Sequence, residues 1–214
     1  METAALDRLR RGLSVTDEAF DRCLPPRARA LSAAQWTPVR VARCAAELLV
    51  TKPGARVLDV GSGVGKFCVI GALTTAGRFT GVEQRARLVE VARALVRAGR
   101  IPRCTFKHGN ATDLDWNGYD GIYLYNPFAE HLFTSARQDD SIRYGLDTYR
   151  LYVERVEYAF ANLRPGVRVV TYHGFGGTMP DHWRTLPVAR RPDHLEFWTN
   201  TEASAPAHVQ MSPW

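Results

Sequence analysis

From residue 56 onward, short apolar runs alternate with longer stretches in which apolar residues recur at helical spacing. The short runs predict strands and the longer stretches predict helices, because side chains alternate between the faces of a strand but return to one face of a helix every turn. The predicted strands are 57–60, 79–82, 105–107, 122–125 and 167–172, and the predicted helices are 66–75, 85–98 and 142–162. This alternation favours a doubly wound α/β fold, a mostly parallel sheet covered by helices on both faces.

The two ends of the chain follow different patterns. Residues 1–50 are predicted to form a helical extension, with short helical pieces at 14–24 and 28–34 and a helix from Pro38 to about Val50 that Thr37 caps. Near the other end, 185–191 and 194–199 are separated only by Pro192 and Asp193, which predicts a hairpin. We therefore expect an α/β domain over 51–214 whose sheet ends in an antiparallel strand.

Composition narrows the class of protein. The 214 residues are 45% hydrophobic and 23% charged, which excludes disordered, collagen-like and disulfide-scaffold proteins. The apolar runs are too short for a membrane span, no export signal is expected, and the four cysteines form no metal-ligand spacing. We expect a cytoplasmic protein with no membrane or metal site.

The net charge of +6 raises the question of a nucleic-acid partner. Of the 28 basic residues only three are lysine, and the cations are spread along the chain. Nucleic-acid binding is therefore possible but not favoured.

A glycine-rich segment, Asp-Val-Gly-Ser-Gly-Val-Gly-Lys at 59–66, stands directly between a predicted strand and a predicted helix. Glycines let a backbone approach a ligand closely, and a helix N-terminus presents free N–H groups. Val60 and Phe67 replace the glycine and the hydroxyl residue that a phosphate-binding loop needs. Glycines at 61, 63 and 65 also depart from the Gly-x-Gly-x-x-Gly spacing of dinucleotide sites.

What remains is an acidic-x-Gly-x-Gly-x-Gly loop, which resembles that of the class I, seven-strand, Rossmann-like S-adenosylmethionine-dependent methyltransferases, over roughly residues 36–200. The resemblance implies S-adenosyl-L-methionine as cofactor, its methionine portion held at the loop and its ribose hydroxyls held by the acidic residue that ends the second strand. Glu83, 18 residues after Gly65, stands there, and a carboxylate accepts two hydroxyl donors at once. The cofactor-binding residues implied are Asp59, Gly61, Ser62, Gly63, Gly65, Lys66, Glu83 and Gln84.

Two further segments resemble cofactor contacts of this family. The third strand runs into Asn110, Ala111 and Thr112, similar to the segment that meets the adenine edge, although aspartate is usual at position 110 and Asp113 is an alternative contact. Upstream, Thr37 and the proline after it resemble a step that closes over the cofactor carboxylate in several amino-group methyltransferases. A helix cap explains Thr37 equally well.

The fourth strand ends in Asn126, Pro127 and Phe128, which are predicted to meet the methyl acceptor. The step resembles the Asn/Asp-Pro-Pro-Tyr/Phe motif of methyltransferases that act on exocyclic or amide nitrogens, with one proline missing. It also resembles the Asn-Asn-Phe step of seven-strand histone-lysine methyltransferases. Asn126 is expected to touch both cofactor and acceptor. Glu130 and His131 follow this step, and His173, which ends the fifth strand, is a candidate proton acceptor.

The resemblance implies transfer of a methyl group to an amino or amide nitrogen, with a protein amine such as lysine slightly ahead of a nucleobase or a small molecule. A catalytically silent module that only binds S-adenosylmethionine is the alternative. The sequence does not indicate an oligomeric state.

Overall fold

The computed structural model describes residues 2–188 and 191–200. Within them lies a seven-stranded sheet of order β3-β2-β1-β4-β5-β7-β6. The first five strands are parallel, β7 is antiparallel to β5, and β6 is antiparallel to β7. The strands are β1 Arg56–Val60, β2 Arg78–Glu83, β3 Cys104–His108, β4 Gly121–Tyr125, β5 Arg168–Tyr172, β6 Trp183–Thr185 and β7 Leu195–Asn200. The predicted parallel sheet with an antiparallel end is therefore confirmed.

Helices cover both faces of this sheet. They are α1 Ala4–Arg10, α2 Asp17–Asp21, α3 Pro26–Ala30, α4 Ser32–Gln35, α5 Val39–Leu49, α6 Lys66–Thr74, α7 Ala86–Gly99 and α8 Leu146–Asn162. Helices α1, α5, α6 and α7 share one hydrophobic core with Tyr123 of β4, whereas α8 packs in a second core with Ile122 and Leu124. This alternation along β4 is the two-residue period of a strand buried on both faces.

The order of the strands fixes where a ligand can bind. The chain moves from β1 outward to β2 and β3, then returns to place β4 on the other side of β1. In open α/β sheets, ligands bind at the carboxyl ends of the strands where the order reverses in this way. The loops after β1, β2 and β4 carry the glycine segment, Glu83 and Asn126 to that edge.

Three predicted boundaries are wrong. Helix α5 begins at Val39, and Thr37 does not cap it, because the carboxylate of Asp17 accepts the Val39 N–H at 2.9 Å. Helix α8 begins at Leu146 rather than at 142. The first hairpin strand is Trp183–Thr185 rather than 185–191, and 189–190 lie outside the described residues.

No helix in the described part of the chain is both long and apolar enough to cross a membrane.

Candidate active site

The glycine segment forms a tight loop between β1 and α6. Gly61, Gly63 and Gly65 have φ angles of +75°, +52° and +79°, which side chains other than glycine rarely adopt. The N–H groups of Gly61 and Ser62 both donate to the carbonyl of Val82 at 3.0 Å, so the loop is fixed to β2. A Cβ at Gly63 would stand 2.5 Å from the ring of Trp36. The loop therefore passes directly beneath the indole, and only glycine fits there.

Glu83 ends β2 beside this loop and is 6% exposed. One carboxylate oxygen accepts the Gly63 N–H at 3.0 Å and the other accepts the Arg85 N–H at 2.9 Å. Burial raises the pKa of this carboxyl above its ordinary value. Each oxygen has a second lone pair, so the carboxylate can still accept two hydroxyl donors.

A cavity of about 270 Å³ opens between the loop, Glu83 and the end of β4. This volume lies near the lower end of the ~300–1,000 Å³ found for small-molecule sites. Among its lining residues are the predicted Gly61, Gly63, Glu83, Gln84, Asn110, Ala111, Asn126, Pro127 and Phe128. The fold thus brings the predicted ribose, adenine and acceptor residues to one cavity.

A recess of about 40 Å³ shares Trp36 and Gly61 with this cavity and is also lined by Thr37, Asp59 and Ser62. Burial raises the pKa of Asp59 to about 7. The Ser62 hydroxyl oxygen is buried and has no hydrogen-bond partner among the described residues. Because buried polar groups are nearly always paired, this orphan fits a polar ligand at the recess.

Thr37 and Lys66 also line this recess, but their polar atoms already have protein partners. The Thr37 hydroxyl lies 3.0 Å from the hydroxyl of Tyr123. The Lys66 ammonium contacts Asp17, Asp21 and the hydroxyl of Ser32, at 2.7, 2.9 and 3.2 Å. An ammonium has three N–H donors, so Lys66 has none left for a cofactor.

Only some of the residues predicted to meet the adenine edge line the cavity. Asn110 and Ala111 line it, whereas Thr112 and Asp113 line a different surface groove. The Asn110 carbonyl oxygen accepts from the N–H and the hydroxyl of Thr112, at 3.0 and 2.9 Å. Both of its lone pairs are used, so Asn110 offers a ligand its amide N–H₂. Asp113 pairs with Arg155 at 2.7 Å, outside the cavity.

The acceptor step after β4 lies against the glycine loop. Asn126 has a φ of +35° and donates its N–H to the carbonyl of Gly174 at 3.2 Å. Pro127 lies close to Gly61, with 3.4 Å between the proline Cβ and the place that a Gly61 Cβ would take. Phe128 lines the cavity, but it is only 4% exposed and also packs against Tyr152 in the second core.

His173 does not line this cavity. Its ring stacks on that of His194, with 4.5 Å between centroids, and its backbone has a φ of +57°. Burial, together with the positive charge of His194, lowers the pKa of His173. The predicted proton acceptor is therefore held in a histidine pair near the β5–β7 junction.

The cavity wall also contains an ion-pair cluster that the sequence did not predict. Arg85 is 5% exposed and binds both carboxylate oxygens of Glu130, at 3.0 and 2.6 Å, and one of Asp139 at 3.1 Å. The cluster ties the segment after β4 to the end of β2. No local pattern could show it, because 45 residues separate Arg85 from Glu130.

His131 and Gln138 complete that wall. The His131 Nδ1 and the Gln138 side-chain oxygen are buried with no partner among the described residues. Burial lowers the pKa of His131, which favours the neutral ring. This wall of the cavity thus combines a paired arginine–glutamate cluster with two buried polar atoms that have no partner among the described residues.

A family model described as a methyltransferase domain matches residues 51–170. The chain belongs to this family. The predicted class I methyltransferase family, the enzyme class and S-adenosylmethionine as methyl donor are thereby confirmed. The seven-strand Rossmann-like fold predicted from the resemblance is confirmed as well.

Solved structures agree on the fold. An RNA methyltransferase from Salinibacter ruber, in complex with S-adenosyl-L-homocysteine, is 22% identical with a TM-score of 0.53, and the match covers 81% of this chain and 99% of that one. TrmN from Thermus thermophilus is 17% identical with a TM-score of 0.54, covering 81% of this methyltransferase and 50% of TrmN. The [4+2]-cyclase SpnF is 19% identical with a TM-score of 0.50, covering 74% and 60%.

The chain therefore spans about half of TrmN and three-fifths of SpnF. A search of curated proteins by sequence finds no match. At these identities the likeness shows the fold alone, and the methyl acceptor must be argued from the site itself.

Proposed function

We propose that this methyltransferase transfers the methyl group of S-adenosylmethionine to an amino or amide nitrogen held at the end of β4. The supporting observation is the juxtaposition of Asn126 and Pro127 with the glycine loop at a cavity that Glu83 also lines. An amide oxygen and a backbone carbonyl are acceptors suited to the N–H groups of an attacking nitrogen.

The residues present fit the cofactor. Glu83 has two free lone pairs for the ribose hydroxyls, and Asn110 with the Ala111 backbone faces the place for the base. The orphaned Ser62 hydroxyl and Asp59 lie at the recess, where the methionine portion would be held. When bound, S-adenosylmethionine supplies an electrophilic methyl group on a sulfonium sulfur.

Because the cofactor supplies the reactive methyl group, the main task of the protein is to position the attacking nitrogen against it. Holding two reactants in line at about 3–3.5 Å lowers a barrier by several kcal/mol. In our proposal the Asn126 side chain and the Pro127 carbonyl orient the nitrogen lone pair, and Phe128 packs against the acceptor. The Phe128 ring suits this role because the second core holds it rigidly.

The acceptor class is part of the proposal. We keep a protein amine narrowly ahead of a nucleobase and of a small molecule, since the described residues include no separate nucleic-acid-binding domain. The fold likeness to an RNA methyltransferase keeps the nucleobase as the alternative. We also propose a cytoplasmic location, based on the cysteine usage; the four cysteines are free.

The test begins with methyl-labelled S-adenosylmethionine and crude cell extract, followed by mass spectrometry of the labelled fraction. Turnover is then compared for the wild type and Asn126→Gly, since glycine tolerates the φ of +35° and removes only the side chain. We expect at least tenfold slower turnover and a smaller loss of S-adenosylhomocysteine affinity, because Asn126 is also expected to touch the cofactor. Asn162→Ala, at a half-buried site on α8 outside the cavity, is the control. Unchanged turnover in Asn126→Gly would remove Asn126 from the mechanism.

One outcome of the labelling experiment would contradict the proposed transfer. Tight S-adenosylhomocysteine binding without label in any fraction would show that the cavity binds the cofactor without acting on an acceptor in the extract.

A further inference from the structure

A buried cation stands at the start of helix α6, directly after the glycine loop. Lys66 is 2% exposed, and all three of its ammonium contacts are to side chains of the N-terminal segment: Asp17, Asp21 and Ser32. The ring of Phe20 lies 5.4 Å from the ammonium on another side. Nothing in the cavity is needed to satisfy this charge.

An unpaired charge would be unfavourable here for two reasons, its position at a helix N-terminus and its burial. A helix N-terminus carries a partial positive charge, so a cation in the first turn is repelled there. A buried ammonium also loses its hydration. The carboxylates of Asp17 and Asp21 offset both costs, so the glycine loop and α6 require the N-terminal segment to be docked against them.

That segment forms part of the cavity wall. We define the N-terminal cap as residues 14–38. Its Trp36 lies above Gly63 and lines both the cavity and the recess, with the indole N–H bonded to the carbonyl of Ala28 at 2.7 Å. Its Thr37 bonds Tyr123 of β4. The Asp17 oxygen that meets Lys66 also accepts the Val39 N–H that starts α5.

We propose that Lys66 is a positioning residue for the cofactor: by its ion pairs with Asp17 and Asp21 it holds the N-terminal cap in place. Trp36 then closes the cavity over the glycine loop, and Thr37 closes the recess beside it. This inference rests on the proposed cofactor site. In this proposal the Lys66 ammonium does not bind the cofactor directly and acts by holding the N-terminal cap. Its partners Asp17 and Asp21 are 49 and 45 residues away in sequence.

The test uses S-adenosylhomocysteine as probe, with calorimetry, thermal unfolding and hydrogen exchange by mass spectrometry. We expect Lys66→Met to bind the probe at least tenfold more weakly and to exchange faster within 14–38. The control is Arg168→Met, which removes a half-buried hydrogen bond from β5 to the Leu48 carbonyl, at the opposite edge of the parallel strands. We expect this variant to lose stability while its probe affinity stays within twofold of wild type.

A second variant keeps the test decisive if Lys66→Met does not fold. Asp17→Ala leaves the Lys66–Asp21 pair intact, and Asp17 does not line the cavity or the recess. We expect this variant to bind the probe at least about threefold more weakly and to show faster hydrogen exchange near Trp36. Wild-type affinity in a folded Lys66→Met or in Asp17→Ala overturns the positioning role. A wild-type protein that does not bind the probe refutes the proposed cofactor site instead.

Discussion

We expect the buried carboxyl of Asp59 to make the stability of the fold depend on pH. Asp59 is 4% exposed in the middle of the sheet, and its carboxylate accepts a hydrogen bond from the Cys68 thiol at 3.3 Å. Burial disfavours the charged form and raises its pKa from 3.8 to about 7, with the Glu83 charge adding to the shift. Replacing Asp59 by asparagine keeps an acceptor oxygen for the thiol and removes the titration.

The sign follows from proton binding. In the unfolded chain Asp59 ionises near its ordinary pKa of 3.8, whereas the folded chain keeps its proton up to about pH 7. The folded state therefore binds more protons between these values, and the free energy of unfolding falls as pH rises through that window. Each pH unit is worth about 1.4 kcal/mol, so the wild type loses about 3 kcal/mol through Asp59 between pH 5 and pH 8.

The assay is urea unfolding followed by circular dichroism at several pH values from 5 to 8. We expect the stability of Asp59→Asn relative to wild type to rise by about 3 kcal/mol across this range. Val57→Ala, a buried change in the same strand, should lower stability by about 1–3 kcal/mol at every pH. A constant difference between Asp59→Asn and wild type would refute the reasoning, because it would mean that the folded carboxyl is already ionised at pH 5.

Three further predictions concern the cofactor cavity. Glu83→Gln should weaken S-adenosylhomocysteine binding by about 1–3 kcal/mol in calorimetry, because a charge-assisted hydrogen bond is lost. The control Glu47→Gln, at an exposed helix position, should bind as the wild type does. Equal affinities of Glu83→Gln and wild type would exclude the ribose role of Glu83. Gly63→Ala should reduce the affinity for S-adenosylhomocysteine at least tenfold, because the new Cβ would lie 2.5 Å from the ring of Trp36. The control Gly54→Ala also has a positive φ but has open space around it, so it should lower stability and leave the affinity unchanged. Asn110→Asp keeps the capping oxygen and adds an acceptor, so we expect affinity to rise by about 1 kcal/mol; a decrease would show that an acceptor atom of the base faces this side chain.

Local patterns determined much of this protein. The alternation of apolar runs predicted the parallel strands, since their hydrophobic period is a property of a few consecutive residues. Glycines at 61, 63 and 65 are needed where the backbone has a positive φ, and Glu83 follows from the strand that ends beside them. The family and its cofactor could be predicted because this loop, strand and carboxylate are close in sequence.

Only the tertiary structure decided which side chains remain free to act. Lys66 stands beside the glycines in sequence, but its ammonium is taken by Asp17 and Asp21, and the Asn110 oxygen is taken by Thr112. Arg85 meets Glu130 only because the crossover order of the strands brings the ends of β2 and β4 to one edge of the sheet. Hydrogen bonds and ion pairs between residues far apart in sequence depend on the folded path of the chain, so neither spacing nor composition contains them.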